Sequence, residues 1–386
     1  MAARTNAAEP ANVGLSGCFV NQKPAAKAKK SGGCHNFGVN AIASPIPPSD
    51  LPPSGQGPQS IVAAEMSAVD QVIRDRLASE VVLIGQISEY IIQSGGKRVR
   101  PALLLMVSGA LSAHLQKSGS TLGLLDPQRS RTMAAVVEFI HTATLLHDDV
   151  VDESGLRRGR PTANVLFGNA ASVLVGDFLY SRAFQMMVDV GSPGVMAVMA
   201  ESTNVISEGE VLQLMNCQDP DVTEDRYLTV IRFKTAKLFE AAAKVPAVLA
   251  DAPAAVIEAC AAYGRHLGTA FQLIDDALDY AGSESEIGKR VGDDLREGKP
   301  TLPLIRIMDQ GTPQEKELVR NAIINPEQAD FNQVVAAIHR TGAMQYTLDC
   351  AARECGLAKN AIDVLEDSPF KQAMTALLDY VIERRS

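Results

Sequence analysis

The amino-acid sequence predicts an all-α protein of ten or more helices. Apolar residues recur at helical spacing through most of the chain after Ile61, and the alternation of apolar and polar residues that marks β-strands is missing. The chain has 386 residues, of which 46% are hydrophobic, and this is enough to bury a sizeable core. We therefore expect residues 60–386 to form one helical domain without internal boundaries.

The first 59 residues differ from the rest of the chain. They contain eight of the twenty prolines and a basic patch at Lys27, Lys29 and Lys30. Such a segment cannot bury enough apolar surface to fold, so its composition predicts a disordered extension. It has no hydrophobic region of the signal-peptide kind. A transit peptide is the alternative, although the segment contains a single arginine, Arg4.

The helical patterns after this extension follow one another with short breaks. Pro101 stands where a helix favours proline, at its first position. Residues 119–128 predict an exposed loop. The predicted helices cover residues 61–92, 102–116, 128–153, 162–189, 194–215, 223–249 and 254–281, followed by several shorter ones.

Composition disfavours several classes of function. The net charge of −9 argues against a nucleic-acid partner and gives no general attraction to anionic membranes. No apolar run reaches the roughly 18 residues of a transmembrane helix. The six cysteines form neither a CxxC motif nor a zinc-binding spacing, which indicates a reducing compartment. We expect a cytoplasmic protein, or an organellar one if residues 1–59 are a transit peptide.

The helix predicted over residues 128–153 ends in a group of acids. Asp148 and Asp152 stand one helical turn apart and share a face, with Asp149 turned aside. Mutual repulsion and the negative end of the helix dipole both disfavour this arrangement, and such conflicts are expected at functional sites. Mg²⁺ would relieve them, because it binds carboxylate oxygens together with substrate phosphates. Arg157 and Arg158 follow directly, and arginine is suited to phosphate.

A second copy of the motif lies further along the chain. Asp275, Asp276 and Asp279 repeat the spacing on another apolar helix. Two such helices facing each other across a cavity would hold several metal ions around one diphosphate. The alternative for a single motif is a solvated acidic helix end with neighbouring ion pairs, and the second copy makes that interpretation less favourable.

Three further segments carry groups of cations. The loop of residues 94–101 combines three cations with exposed backbone N–H groups, which is typical of an anion site. Residues 232–237 form a second basic group, and residues 288–303 a third. Charges in the third segment are balanced, so a solvated loop is its alternative. The basic residues of the three segments are Lys97, Arg98, Arg100, Arg232, Lys234, Lys237, Lys289, Arg290, Arg296 and Lys299.

These motifs, in this order, resemble those of the trans-polyprenyl diphosphate synthase family. The matching segments are residues 139–154, 176–178, 208–214, 234–236 and 288–303. The resemblance covers residues 60–386 and is closest to bacterial family members that make octaprenyl diphosphate. Residues 1–59 have no counterpart there, and residues 112–128 look longer than the usual link.

The resemblance implies an isoprenoid-synthase-type helical bundle around a deep central cavity, usually as a homodimer. It also implies sequential condensation of isopentenyl diphosphate onto an allylic diphosphate, with farnesyl diphosphate as the expected starter. The expected cofactor is Mg²⁺, with Mn²⁺ as a substitute. The product would be a long all-trans polyprenyl diphosphate, of octaprenyl length, for a quinone side chain.

The resemblance also assigns roles to residues. The expected metal ligands are Asp148, Asp152 and Asp275, with Asp149, Asp276 and Asp279 in support. The residues expected to hold the allylic diphosphate are Arg157, Lys234, Thr235, Gln272 and Lys299. Those expected to hold isopentenyl diphosphate are Lys97, Arg100, His141 and Arg158. Lys289 is a further candidate for substrate binding.

Product length is expected to depend on the helix that carries the first motif. Each step of four residues back from Asp148 leads about 5.4 Å deeper into the apolar interior. Thr144 and Ala143 occupy the first such step, where short-chain relatives commonly place bulky aromatic side chains. Both residues are small here, so we expect a long tunnel. Phe178 and Phe184 are candidates for its floor.

Several alternatives stay open at this point. Glu138 and His141 spell the ExxH of di-iron bundles, although a second ExxH is missing. A terpene cyclase or head-to-head coupling enzyme would guide carbocations with aromatic faces, and this chain has no tryptophan. A regulatory subunit of a heteromeric synthase would be expected to have lost aspartates or the Lys97 region. A shorter or longer product is the remaining alternative.

Overall fold

The computed structural model describes residues 57–93, 95–117, 125–281 and 292–384. Most of the predicted N-terminal extension therefore lies outside the described residues, as does much of the predicted loop at 119–128. The expectation of disorder before residue 60 stays a prediction. Among the helices of the described ranges, none is long and apolar enough to cross a membrane.

The described residues are almost entirely helical, which confirms the all-α class. Their helices are α1 (Ala63–Leu77), α2 (Val82–Gln93), α3 (Val99–Lys117), α4 (Pro127–Val151), α5 (Ala163–Phe167), α6 (Asn169–Val190), α7 (Pro193–Asn216), α8 (Glu224–Ile231), α9 (Lys237–Leu249), α10 (Ala254–Leu278), α11 (Asp293–Arg296), α12 (Leu302–Gln310), α13 (Pro313–Ile324), α14 (Phe331–Thr341), α15 (Ala343–Ala361) and α16 (Pro369–Glu383). A π-helical turn, Arg232–Ala236, joins α8 to α9 without a break. Short 3₁₀ turns occupy Pro58–Val62, Pro326–Gln328 and Ile362–Val364.

Three predicted helix boundaries are wrong. The pattern over residues 162–189 is not one helix, because Gly168 interrupts it at φ 85° and ψ 154° between α5 and α6. The pattern over residues 61–92 is not one helix, because Ala78 leaves the helical region at ψ 126° and α2 starts afresh at Val82. α3 begins at Val99 rather than at Pro101. Pro101 thus lies inside the first turn, where a missing N–H costs no intrahelical hydrogen bond.

A small β-hairpin follows α4, where the sequence predicts no strand. Its strands, β1 (Leu156–Arg157) and β2 (Arg160–Pro161), pair antiparallel. Arg158 and Gly159 at the tip have φ values of 54° and 72°, as a two-residue hairpin turn requires. Strands of two residues are too short to show an alternating pattern, so periodicity could not predict them.

The two aspartate-bearing helices, α4 and α10, both pack against α9. α4 also packs against α3 and α6, and it buries Val136, Val137 and Ile140 completely. α10 packs against α9 and α15 and buries Leu267 and Leu273. The π turn that leads into α9 contacts both of these helices, through Lys234 to Asp148 of α4 and through Thr235 to Gln272 of α10.

A second, smaller core lies beside the end of α10. It is formed by α12, α13 and α14, with Leu304, Val319 and Ile338 fully buried. Tyr280, two residues after α10, packs into it against Phe331. This packing fixes where the end of α10 lies, and with it the last aspartate of the second motif.

Candidate active site

The first aspartate motif lies at the C-terminal end of α4. Lys234 Nζ lies 3.5 Å from Asp148 Oδ2, and Lys299 Nζ lies 2.9 Å from Asp152 Oδ2. Burial raises the pKa of Asp148 above its usual value, and neighbouring Asp152 adds to this. The two lysines come from distant segments, so the fold supplies the positive charge that the crowded carboxylates need.

Asp149 has a different environment from the aspartates on either side of it. Its side chain is buried, and Arg157 holds it with contacts of 2.8 Å from Nε and 2.7 Å from Nη2. The hairpin after α4 turns Arg157 back toward the helix end. Asp149 and Arg157 therefore satisfy each other, and the expected contact of Arg157 with an allylic diphosphate would compete with this ion pair.

The second motif ends α10 as the first one ends α4. Arg384 Nη1, from just beyond α16, lies 3.0 Å from Asp275 Oδ1. Asp276 is buried, and it accepts hydrogen bonds from Tyr227 Oη at 2.5 Å and Gln272 Nε2 at 2.7 Å. Burial raises the pKa of Asp276 well above its usual value, and Asp294 contributes to this rise.

Lys234 and Thr235 lie in the π turn and connect the two motifs. Lys234 Nζ contacts Glu210 Oε2 at 2.5 Å as well as Asp148. Thr235 Oγ1 donates to Gln272 Oε1 at 3.0 Å, and Gln272 in turn holds Asp276. Burial lowers the pKa of Lys234, but Asp148 and Glu210 more than offset this, so the lysine stays charged.

Lys299 is surrounded by carboxylates. Its Nζ contacts Glu297 Oε2 at 2.5 Å in addition to Asp152. Burial alone would lower the pKa of Lys299, but the charges of Glu297 and Asp152 raise it above its usual value. The sequence places Lys299 in a loop with balanced charges, and the structure brings it to the end of α4.

Another group of basic side chains, separate from Lys234 and Lys299, lies around His141. Arg100 Nη1 donates to His141 Nε2 at 3.0 Å, and Arg158 donates to the carbonyl of Gly95. Burial, together with Arg100 and Arg158, holds the pKa of His141 well below its usual value, so the imidazole is neutral at pH 7. Burial lowers the pKa of Arg100 to about 10.

The cations around His141 are close enough to lower one another's pKa values. Burial lowers the pKa of Lys97, and the charge of Arg384 lowers it further. Burial and Arg157 lower the pKa of Arg158. Because these cations repel one another, an anion bound among them would stabilise their charged forms. The structure thus brings together the four residues expected to bind isopentenyl diphosphate: Lys97, Arg100, His141 and Arg158.

The donor set fits Mg²⁺ bound together with a substrate. Across the described ranges, no three His, Cys, Asp or Glu side chains lie close enough to hold a metal ion by themselves. Mg²⁺ is usually held by one or two carboxylates plus substrate phosphates and water, rather than by a cage of protein ligands. Asp148 and Asp152 on one helix end and Asp275 on the other offer the hard oxygen ligands that this requires.

Four residues of the site were not predicted from the sequence. Glu297 holds Lys299. Glu210 holds Lys234, Tyr227 holds Asp276, and Arg384 holds Asp275. Glu210 stands in a segment that carries the family resemblance, which was a usable signal. Tyr227 and Arg384 lie outside any motif, and their contacts depend on the packing of distant helices. Lys289 lies outside the described residues, so its expected role stays a prediction.

Of the two positions expected to set product length, Ala143 is buried and Thr144 is half-buried. Ala143 is fully buried, and Thr144 Oγ1 donates to the carbonyl of His141 at 2.8 Å. A cavity of about 90 Å³ opens on a neighbouring face of α4, lined by Thr142, Leu145 and Leu146 among others.

The two candidates for the tunnel floor have different surroundings. Phe184 is 38% exposed on α6, and this exposure gives no support for the floor assignment. Phe178 is half-buried and packs under the guanidinium of Arg182, with 5.1 Å between Arg182 Cζ and the ring centroid. Its contact with Arg182 gives no support for the floor assignment.

Comparison with known proteins agrees with this fold. Residues 81–339 match the family model described as polyprenyl synthetase. The chain is 48% identical over 332 residues to octaprenyl diphosphate synthase of Escherichia coli (strain K12), covering 84% of this chain and 97% of that protein. It is 41% identical over 323 residues to an all-trans-nonaprenyl-diphosphate synthase (geranyl-diphosphate specific) of Rhodobacter capsulatus, covering 84% and 96%.

A solved structure is similar over the same span. It is a polyprenyl synthase from Caulobacter crescentus CB15 complexed with calcium and isoprenyl diphosphate, with a TM-score of 0.79 and 42% sequence identity. The match covers 85% of this chain and 97% of that one. The fold and the paired aspartate motifs define a prenyl-transferring enzyme. The chain belongs to the polyprenyl synthetase family, which confirms the resemblance seen in its sequence.

Proposed function

We propose that this protein is a Mg²⁺-dependent enzyme that adds isopentenyl diphosphate repeatedly to an allylic diphosphate, with farnesyl diphosphate as starter. The observation that carries the proposal is the meeting of two aspartate-ended helices with Lys234 and Lys299 at one site. The octaprenyl diphosphate synthase of Escherichia coli, 48% identical, supports a long product of octaprenyl length. Such a product would serve as a quinone side chain.

The chemistry needs a stabilised leaving group. An allylic diphosphate ionises to a carbocation when the charge that develops on the diphosphate is neutralised, and preorganised cations are the strongest means available. Mg²⁺ bound by Asp148, Asp152 and Asp275 would act as a Lewis acid on the diphosphate oxygens. Lys234, Thr235, Gln272 and Lys299 would orient the same diphosphate by charge and hydrogen bonds.

The second substrate would occupy the basic group around His141. Arg100, Arg158 and Lys97 would bind the diphosphate of isopentenyl diphosphate, while neutral His141 accepts a hydrogen bond from Arg100. The double bond of isopentenyl diphosphate attacks the carbocation, a carbon–carbon bond forms, and one proton must leave. We propose that the released diphosphate accepts this proton, because it carries negative charge next to the reacting carbons.

Ala143 and Thr144 would let the growing tail pass into the interior. Ala143→Tyr places a rigid ring about one helical turn below Asp148, and the surrounding core cannot adjust to it. We expect the variant to stay active on short starters and to stop at products of about fifteen to twenty carbons, since a blocked turn removes depth for several isoprene units. Chromatography of dephosphorylated products measures this. A parent-length product from an active variant would place the tunnel elsewhere.

We propose a homodimer built on α6 and α7. Their outer faces expose large apolar side chains, among them Leu174, Val188, Leu214 and Met215. Exposed large apolar side chains of this kind indicate an interaction surface, and a second copy would cover them by two-fold symmetry. Analytical ultracentrifugation tests this, with a monomer at micromolar concentration as the contrary result. We propose the cytoplasm as the protein's location, because six cysteines without a CxxC motif or a zinc-binding spacing indicate a reducing compartment.

The activity itself is tested with purified protein. It should extend farnesyl diphosphate with isopentenyl diphosphate and Mg²⁺, and the length of the product separates the octaprenyl proposal from shorter and longer alternatives. No turnover by the purified chain alone, with turnover restored by a second subunit, would favour a heteromeric synthase.

A further inference from the structure

The π turn lies between α7 and α10 and is in contact with both backbones. A Cβ added at Gly209 of α7 would lie 2.6 Å from the backbone nitrogen of Lys234. A Cβ added at Gly268 of α10 would lie 2.6 Å from the Cα of Ala236. Backbone atoms inside a packed helix cannot move aside as the end of a long side chain can. Both sides of the turn therefore accept only glycine at this distance.

Each neighbouring helix also supplies the polar partner for one residue of the turn. Glu210, next to Gly209, holds Lys234 at 2.5 Å. Gln272, one helical turn after Gly268, holds Thr235 at 3.0 Å. A close approach and a polar contact thus occur together on each side, and adjacent residues of the turn are aimed at different aspartate motifs.

We propose that Gly209 and Gly268 are positioning residues for the allylic diphosphate. By letting the π turn lie against both helices, they place Lys234 beside Asp148 and Thr235 beside Gln272 at the same time. A side chain at either glycine would push the turn outward and take one of these contacts away. This inference rests on the proposed role of Lys234 and Thr235 in holding the allylic diphosphate.

The chain offers two matched controls. A Cβ at Gly264, one turn before Gly268 on the same helix, would lie 2.4 Å from the carbonyl oxygen of Phe239, which belongs to α9 beyond the turn. Gly264→Ala therefore strains the same helix pair without pressing on the π turn. Gly356 on α15 has nothing within 4 Å of an added Cβ, so Gly356→Ala should leave folding and kinetics unchanged.

The experiment compares Gly209→Ala, Gly268→Ala, Gly264→Ala and Gly356→Ala. Melting temperature and steady-state constants for both substrates are measured in the full chain with Mg²⁺. We expect Gly209→Ala and Gly268→Ala to raise the KM for the allylic diphosphate about tenfold while the KM for isopentenyl diphosphate changes less than about twofold. Gly264→Ala should lower the melting temperature without this selective change.

Three results would overturn the proposal. One is parent-like kinetics in folded Gly209→Ala and Gly268→Ala; another is the same selective KM change in Gly264→Ala. If Gly268→Ala does not fold, Gln272→Ala removes the partner of Thr235 without adding a side chain. An unchanged KM for the allylic diphosphate in the Gln272 variant is the third result that would overturn the proposal. Lys234→Ala distinguishes a failure of this inference from a failure of the proposed function. If the KM for the allylic diphosphate is unchanged in Lys234→Ala, the proposed role of Lys234 is wrong, independently of the results for the glycine variants.

Discussion

The two aspartate motifs have the same spacing, yet the fold holds them with different chemistry. In both, the middle aspartate is turned into the protein and buried. Asp149 is held by the cation Arg157, whereas Asp276 is held by the neutral donors Tyr227 and Gln272. Burial therefore raises the pKa of Asp276 well above its usual value. A repeated motif in a sequence does not imply a repeated electrostatic environment.

The outer aspartates differ in the same way. Asp148 and Asp152 face lysines, which are compact charges that a substrate diphosphate can also use. Asp275 faces Arg384 from the end of the chain. We infer that the outer aspartates of the first motif contact the lysines that would orient the diphosphate. Asp275 of the second motif instead contacts an arginine that holds it to the rest of the protein.

Removing Asp148 should have the largest effect on activity. Asp148→Ala deletes an expected metal ligand and leaves Lys234 with Glu210 alone, so the stabilisation lost acts mainly in the transition state. We expect kcat to fall by about three orders of magnitude, in line with the loss of an electrostatic stabiliser of the transition state. Asp275→Ala should cost less, because Arg384, once released, can turn its charge toward the diphosphate.

Steady-state kinetics over a range of Mg²⁺ concentrations measures both variants, with melting temperature as the control for folding. Excess EDTA should abolish the activity of the parent enzyme. Full activity in EDTA, or a larger loss for Asp275→Ala than for Asp148→Ala, would contradict this view of the two motifs.

The middle aspartates should differ in their contribution to stability. Arg157→Ala leaves a buried carboxylate without its cation, which typically costs about 3 kcal/mol of unfolding free energy. Urea denaturation followed by circular dichroism measures the change. Arg74→Ala, at an exposed position of α1, is the control for the loss of a surface cation. Equal stability of the Arg157 variant and the control would mean that Asp149 finds another partner.

Tyr227→Phe tests the second motif, in which neutral donors hold the buried aspartate. It removes one hydrogen bond to Asp276 while Gln272 still donates another, so we expect a loss of about 1–2 kcal/mol. The same urea experiment measures it. A loss as large as that of Arg157→Ala would show that Asp276 is held as an anion, and the contrast between the motifs would then be wrong.

The sequence predicted the fold class and the residues of both motifs, because helical periodicity and aspartate spacing are local properties. It also pointed to Lys234, Thr235 and Lys299 through resemblance. Which side chain contacts which aspartate was not predictable where the two lie far apart in the chain. Tyr227 lies 49 residues from Asp276, and Lys299 lies 147 residues from Asp152, so only tertiary packing brings them together.

Local geometry was harder to predict than residue identity. The π turn reads as ordinary helix in the sequence, because its hydrogen bonds shift by one residue without changing the apolar pattern. The break at residues 78–81 contains no proline or glycine, so no sequence signal marked it. The exposure of Phe184 could not be foreseen, because helical periodicity alone does not say which apolar face a neighbouring helix covers.

The third aspartates of the two motifs, Asp152 and Asp279, should show the smallest difference in their effects on activity and stability. Asp152 accepts from the ammonium of Lys299 at 2.9 Å, whereas Asp279 accepts from the backbone N–H of Asp294 at 3.1 Å. An asparagine at 279 keeps a carbonyl oxygen for that N–H, so Asp279→Asn should change stability by less than about 0.5 kcal/mol. Its kcat should fall less than that of Asp152→Asn, which removes the carboxylate facing Lys299. Parallel kinetics and urea unfolding of the two variants decide the point, and an equal loss of kcat would mean that the third aspartates act alike.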